Sequence, residues 1–260
     1  MKKFLSILCA AVLAASVGTA VYAGENASVT VSIADENGKL AVAGETITVH
    51  DADGDGSVTV NDALIVAHDT FYKGGSEAGY EAAGSDWGLS MYKLWGAENG
   101  GSYGYYVNSE AAFSLADPIA DGDYVDAFVY TDLEAWSDTY CYFDNRTVSG
   151  SSVTLTLSGA GFDADWNPVT VPIVGAEITL NGEKTGVLTD ENGRATVDLP
   201  AGRCVISAVS DSQILVPPVA ISDNEPTTAA QTGDLSVVLA AAAVLSLGAA
   251  VIAKKRGDER

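Results

Sequence analysis

Basic residues are scarce in this chain: 13 Lys and Arg stand against 35 Asp and Glu in 260 residues. A phosphate backbone is bound by neutralising its charge with Lys and Arg, so nucleic acid is excluded as a partner. Histidine is almost missing. His50 and His68 are the only two, too few for the His-rich sites that zinc favours. Three cysteines do not make a disulfide scaffold. Cys9 falls in an N-terminal apolar run, and no spacing supports a bridge between Cys141 and Cys204, which read as buried, inert thiols. The chain also lacks a Cys-His arrangement and a zinc-spaced cluster. A glycosidase built on paired carboxylates would need a cleft that small domains rarely supply. The expectation is a protein that is not an enzyme.

Two long apolar runs stand at the ends. Residues 1–23 carry Lys2 and Lys3, an apolar stretch from Phe4 to Val17, and Val21-Tyr22-Ala23 before Gly24, the pattern of a cleaved signal peptide. Leu235 to Ala253 is a 19-residue stretch without charge, followed by Lys254-Lys255-Arg256. At 1.5 Å per residue it just spans a hydrocarbon core of roughly 30 Å, so 235–253 is expected to be a transmembrane helix. The basic cluster keeps the tail 254–260 in the cytoplasm and places residues 24–234 outside. Without these ends, 7 basic residues remain against 32 acidic ones, a balance suited to divalent cations. Gln231-Thr232-Gly233-Asp234, the apolar span and the basic tail together resemble the sortase-type sorting signal of Gram-positive bacteria. That resemblance implies cleavage between Thr232 and Gly233 and attachment to peptidoglycan. Ala229-Ala230 stand where the family has Leu-Pro, and a simple single-span anchor is the alternative.

Between the ends the pattern is of strands and turns. Ser28–Ser32, Glu45–Val49, Tyr124–Tyr130, Val153–Leu157, Val169–Ile173, Glu177–Leu180, Ala195–Leu199 and Cys204–Ala208 alternate or carry β-branched residues. One helix is expected, from Val60, Ala63, Leu64, Ala67 and Phe71 at helical spacing, with Thr59 and Asp62 forming its cap. Fifteen of the 21 aromatic residues lie between Tyr80 and Phe143, whereas 151–222 holds only Phe162 and Trp166. This contrast predicts a mostly β chain with two small β-domains in tandem, 24–150 and 151–222, divided at Ser149-Gly150-Ser151-Ser152, with a linker at 223–234. Gly175-Ala176-Glu177-Ile178-Thr179-Leu180, Thr189 to Ala195 and Leu199-Pro200-Ala201-Gly202 make 151–222 resemble prealbumin-like β-sandwich repeats. The resemblance implies a spacer.

The sharpest motif is Asp51-Ala52-Asp53-Gly54-Asp55-Gly56-Ser57-Val58-Thr59-Val60-Asn61-Asp62. Carboxylates at loop positions 1, 3, 5 and 12 can converge on one hard cation, Gly56 permits the sharp turn, Ser57 can offer its carbonyl and Thr59 can hold a water. The expected ligand set is Asp51, Asp53, Asp55, Ser57, Thr59 and Asp62, and the expected cofactor is calcium. The loop 51–62 resembles those of dockerins and other EF-hand-like proteins, with Asp62 in place of the EF-hand Glu and a strand instead of a helix before it. His50 and His68 are set aside as ligands, His68 as a partly buried helix residue.

Leu89 to Gly96, Tyr103 to Asn108 and Asp121 to Thr131 are similar to the transcobalamin C-terminal-like domain family. Tyr103 stands where that family has Trp, and Ser102 and Ser109 replace its flanking glycines. In transcobalamins this β-domain covers one face of a corrinoid. Most of the aromatics are expected in a core, while outward members among Tyr92, Trp95, Tyr103 and Tyr105 form a candidate stacking platform. The reading is a non-catalytic calcium-binding cell-surface protein with a binding or adhesion module on a spacer, its partner an extracellular glycan or protein. Capture of a small ligand, such as a corrinoid or a glycan, is the alternative.

Overall fold

The computed structural model describes residues 26–86, 88–98, 103–162 and 168–224. The expected signal peptide, sorting site and apolar span lie outside them. Within the described residues the chain is mostly β. Strands β1 (Ala27–Ala34) and β2 (Leu40–Val49) form a hairpin, followed by helices α1 (Val60–Phe71) and α2 (Gly75–Gly79). Then come β3 (Glu81–Ser85), β4 (Gly88–Lys93), β5 (Tyr103–Val107), β6 (Glu110–Ala111), β7 (Tyr124–Val129), β8 (Cys141–Phe143) and β9 (Thr147–Val148). Seven further strands complete it: β10 (Ser152–Phe162), β11 (Pro168–Pro172), β12 (Glu177–Leu180), β13 (Glu183–Leu188), β14 (Arg194–Asp198), β15 (Gly202–Val209) and β16 (Ala220–Asn224).

The eight expected strands and the expected helix are all found. The helix starts where its cap predicts: Asp62 Oδ2 accepts the Thr59 amide at 2.8 Å and the Thr59 hydroxyl at 2.7 Å. The five-residue α2 was not expected. Its sequence, Gly-Ser-Glu-Ala-Gly, is too short for a periodic signal, and it is held from outside by Asp69 Oδ1, which accepts the Ser76 amide at 2.7 Å.

Two five-stranded sheets dominate, in the orders β2-β1-β7-β5-β6 and β13-β12-β15-β16-β9. A third joins β11, β10 and β14, with β8 also on β10, and β3 pairs with β4 alone. In the first sheet β1 runs parallel to β7, and its pairing with β2 is interrupted by register shifts around Ile33. Val125, Ala127 and Val129 face a core shared with Val29, Val31, Ile33 and α1 residues Ala63, Leu64 and Ala67. A second core, from Cys141 to Ala220, fills the space among the other sheets and takes in both Cys141 and Cys204 as free, buried thiols.

The strand pairing changes hands earlier than position 150. Both β8 and β9 pair with strands of the C-terminal sheets, so the chain crosses over between Val129 and Cys141. The Ser/Gly stretch read as a flexible joint is tied down: the Gly150 amide donates to Asn224 Oδ1, and Asn224 Nδ2 donates to the Gly150 carbonyl, both at 2.9 Å. Strands of three and two residues carry too little alternation to be seen in sequence, which is why the crossover was missed.

A third, smaller cluster joins the two cores. Ala34, Phe128, Tyr140 and Val216 are buried together, with Tyr106, Tyr130 and Tyr142 packed against them. Beside it Arg146 reaches Asp126 Oδ2 at 2.7 Å, with both side chains largely buried. Gly104 sits opposite Phe128 across β5 and β7, and the tip of the Phe128 ring fills the space beside it, so that a Cβ added at Gly104 would clash with Cζ and Cε1. Gly104→Ala is therefore expected to lower stability by about 1–3 kcal/mol through overpacking, read from the urea midpoint. Gly84→Ala, in open space on β3, is the control and is expected to leave the midpoint unchanged or slightly raised.

Candidate metal centre and an aromatic groove

The acidic loop brings three carboxylates together. One oxygen each from Asp51, Asp53 and Asp55 lies within 4.8 Å of the others. Their geometry is set by backbone amides turned toward them. Asp51 Oδ1 accepts the Gly54 and Asp55 amides at 2.8 and 3.1 Å, and its Oδ2 accepts the Gly56 amide at 2.9 Å. Asp53 and Asp55 each take the amide two residues on. Gly54 and Gly56 sit at φ 77° and 92°, left-handed positions that a side chain would strain. Single aspartates make the same kind of turn at Asp35, Asp132 and Asp190. Among the described residues only the 51–55 segment brings three such groups together.

Asp62 is not part of that trio. Its side chain is fully buried, and it accepts four hydrogen bonds: the Ala52 and Asp53 amides on Oδ1 at 2.7 and 3.2 Å, and the Thr59 amide and hydroxyl on Oδ2. It ties the start of the loop to the start of α1. The Thr59 hydroxyl is thereby turned inward, toward Asp62, and Ser57 contributes its amide to Asp55. Three acids so close repel one another, and the amide hydrogens aimed at them offset only part of that charge. An all-oxygen cluster of this kind suits a hard divalent cation; the three aspartates would hold it.

A hydrogen-bond chain leads from the loop into the core. Asn61 Nδ2 donates to Asp53 Oδ2 at 2.8 Å, and the Tyr80 hydroxyl donates to Asn61 Oδ1 at 2.8 Å. The Tyr80 ring in turn lies tilted against His68 at 5.1 Å between centroids, and His68 is also flanked by Tyr72 and Trp95. His68 is fully buried, more so than its sequence position suggested. Its Nδ1 lies 2.6 Å from the Leu64 carbonyl and its Nε2 takes the Trp95 amide at 3.1 Å. A carbonyl only accepts and an amide only donates, so Nδ1 carries the proton and the ring is neutral. His50, by contrast, is exposed.

The four aromatics expected as a platform divide. Tyr103 and Tyr105 lie on the face of β5 that packs against the first core, and Trp95 joins them there. The Tyr103 hydroxyl is turned to the Tyr92 and Ala97 carbonyls. Only Tyr92 is exposed. The opposite face of the same sheet, from the next residue in register, lines a groove of about 1270 Å³. Tyr106, Tyr124, Tyr130, Trp136, Tyr142 and Arg146 are on its walls. These six were missed, although Tyr105-Tyr106 carried a signal: neighbours in a strand point to opposite faces, so one of them had to leave the core.

Compared with family models, curated proteins and solved structures, the chain matches none.

Burial holds the His68 pKa below its ordinary value, against the opposing pull of the Leu64 carbonyl and Asp69. The unfolded chain then binds the proton that the folded one refuses, so stability is complete above about pH 6.5 and falls as pH drops through that value. The urea midpoint is expected to decline between pH 7 and pH 5. In His68→Gln, which keeps polar groups but cannot titrate, stability is lower at pH 7 and its decline over this window is lost.

Proposed function

We propose that this chain is a non-catalytic, calcium-stabilised binding protein of a Gram-positive cell surface. The observation that carries the reading is the convergence of Asp51, Asp53 and Asp55 at a loop whose amides already face their oxygens. In the proposal calcium sits on these three acids with the Ser57 carbonyl and a water held near Thr59. Asp62 closes the loop from behind.

The placement at the surface rests on sequence: the N-terminal signal pattern, the apolar stretch 235–253 and Lys254-Lys255-Arg256. In this reading the span anchors the protein with residues 24–234 outside, either directly or after a sortase cuts between Thr232 and Gly233. The aromatic-rich half is the binding module and the C-terminal half is the spacer. The dockerin-like, transcobalamin-like and prealbumin-like resemblances belong to the same proposal. A second reading is surface capture of a ligand such as a corrinoid or a glycan; the aromatic groove beside β5 and β7, walled also by Ala160, Gly161, Val169 and Thr170, supports the glycan.

Calcium is expected to raise the melting temperature of the full-length chain, because an ion that binds only the folded state adds about 2.7 kcal/mol at a hundredfold excess over Kd. Asp51→Ala combined with Asp55→Ala abolishes that gain. Asp62→Asn is expected to cost about 1–3 kcal/mol even in chelator, since an amide nitrogen then faces donors that a carboxylate satisfied. A calcium response that survives in the double variant contradicts the assignment.

A further inference from the structure

The acidic loop does not contribute to the groove beside β5 and β7, and the two require separate explanations. At the groove's edge stands Trp136, 55% exposed, with a positive φ of 56°. Both properties are unfavourable for so large a residue: the left-handed backbone costs roughly 1–2 kcal/mol, and the exposed indole forgoes burial. The loop around it is nevertheless tightly built. Asp132 accepts the Glu134 and Ala135 amides on Oδ1 and the Ser137 hydroxyl on Oδ2 at 2.6 Å. Asp138 accepts the Thr131 amide and hydroxyl on Oδ1 and the Asp132 amide on Oδ2. The Trp136 amide closes back on the Asp132 carbonyl at 3.0 Å. Six side-chain hydrogen bonds thus hold a strained residue with its ring open to the groove, beside Tyr130 at 5.5 Å. Strain retained at this expense is a mark of binding sites.

The charge in the groove is already committed. Arg146 Nη1 lies on Asp126, its Nη2 donates to the Ser109 and Tyr140 hydroxyls, and its guanidinium lies over the Tyr124 ring at 5.0 Å. The Tyr140 hydroxyl donates to Asp126 Oδ2 at 2.6 Å. Arg146 therefore has its charge answered, which disfavours an anionic ligand, and the chain's net charge of −22 disfavours it further. On the acidic side, Asp138 is taken up by Thr131 and Asp132, and Asp144 accepts from the Ser158 hydroxyl; the exposed Glu110 remains on the wall, and one solvated carboxylate makes a poor trap for a strongly cationic ligand. What it presents is ring faces with hydroxyl and amide groups between them, among them Asn145, Thr147 and Thr170. Its volume exceeds the roughly 300–1,000 Å³ of a pocket for one small molecule, so the occupant is extended.

We propose that this groove binds a neutral oligosaccharide, whose CH faces stack on Trp136, Tyr130 and Tyr142 while its hydroxyls exchange hydrogen bonds with the polar groups between them. The inference rests on the reading of the chain as a binding protein. It names a different site from the platform expected in sequence, and it does not depend on the metal.

The test is titration calorimetry on the full-length chain, in a detergent without a sugar headgroup, with cellohexaose, xylohexaose, mannohexaose and chitohexaose as probes. The panel is run in calcium and in chelator, with a hexalysine peptide for comparison. At least one hexasaccharide is expected to bind. Trp136→Ala is expected to weaken that binding about tenfold at an unchanged melting temperature, and Tyr92→Ala to leave it unaltered. Failure of all four sugars overturns the proposal, as does sugar binding that survives in Trp136→Ala or binding of hexalysine in their place. Sugar binding without a calcium melting response would sink the metal reading alone. A calcium response without sugar binding would sink the groove alone.

Discussion

The sheet β2-β1-β7-β5-β6 buries one face against α1 and part of the other against the segment after β7, and most of the described structure follows from how it does so. Strand β7 shows the constraint in six residues. Val125, Ala127 and Val129 pack toward α1 and the first core, whereas Tyr124, Asp126 and Phe128 point the other way. An aliphatic face needs only an apolar partner. A face carrying a carboxylate among rings needs a counter-charge as well, and Arg146 supplies it from the segment between β8 and β9. Burying two charges costs several kcal/mol each, and their attraction repays this only when the remaining hydrogen-bond sites are filled. Tyr140 and Ser109 fill them. Burial, with Asp126 alongside, pushes the Tyr140 hydroxyl well above its ordinary pKa, so it remains a donor across the physiological range.

The two candidate sites belong to opposite faces of this sheet. The acidic loop leaves β2 and enters α1, which covers one face, and the groove opens along the other. Asp62 is the hinge of the first arrangement. By accepting from Ala52, Asp53 and Thr59 it brings the ends of the loop together before any cation arrives. Asn61 and Tyr80 then pass the loop's position to the cage around His68. A cation on the three outer acids would consequently stiffen α1 and the core under it. The groove depends instead on the ion pair and on the Trp136 loop, and so on contacts that no metal touches.

Sequence revealed what is local and hid what is tertiary. The loop, its two glycines and the Thr59 cap lie within twelve residues, and spacing alone locates them. Strand positions were legible from alternation for the same reason. Alternation states that Tyr105 and Tyr106 face opposite ways, but not which side meets the helix. Tyr103 and Tyr105, candidates for a platform by sequence, face the core. Asp62 was expected beside the other acids; its four donors come partly from the far end of the loop, a closure that spacing does not reveal. The crossover ahead of Cys141 was invisible because β8 and β9 are too short to show a period. Gly150, read as a joint, is tied to Asn224 through contacts 74 residues apart in sequence.

The central claim is that one cation site resides in the loop 51–62 and at no other acidic turn of the described chain. Backbone amide shifts followed by NMR during a calcium titration test it most directly. The account predicts a saturable response with one ion per chain, largest at Gly54, Asp55, Gly56 and Ser57, whose amides face the carboxylates, and carried into α1. Equal, unsaturated shifts at the single-aspartate turns of Asp35, Asp132 and Asp190 would contradict it, because they would show screening of a strongly acidic surface in place of binding.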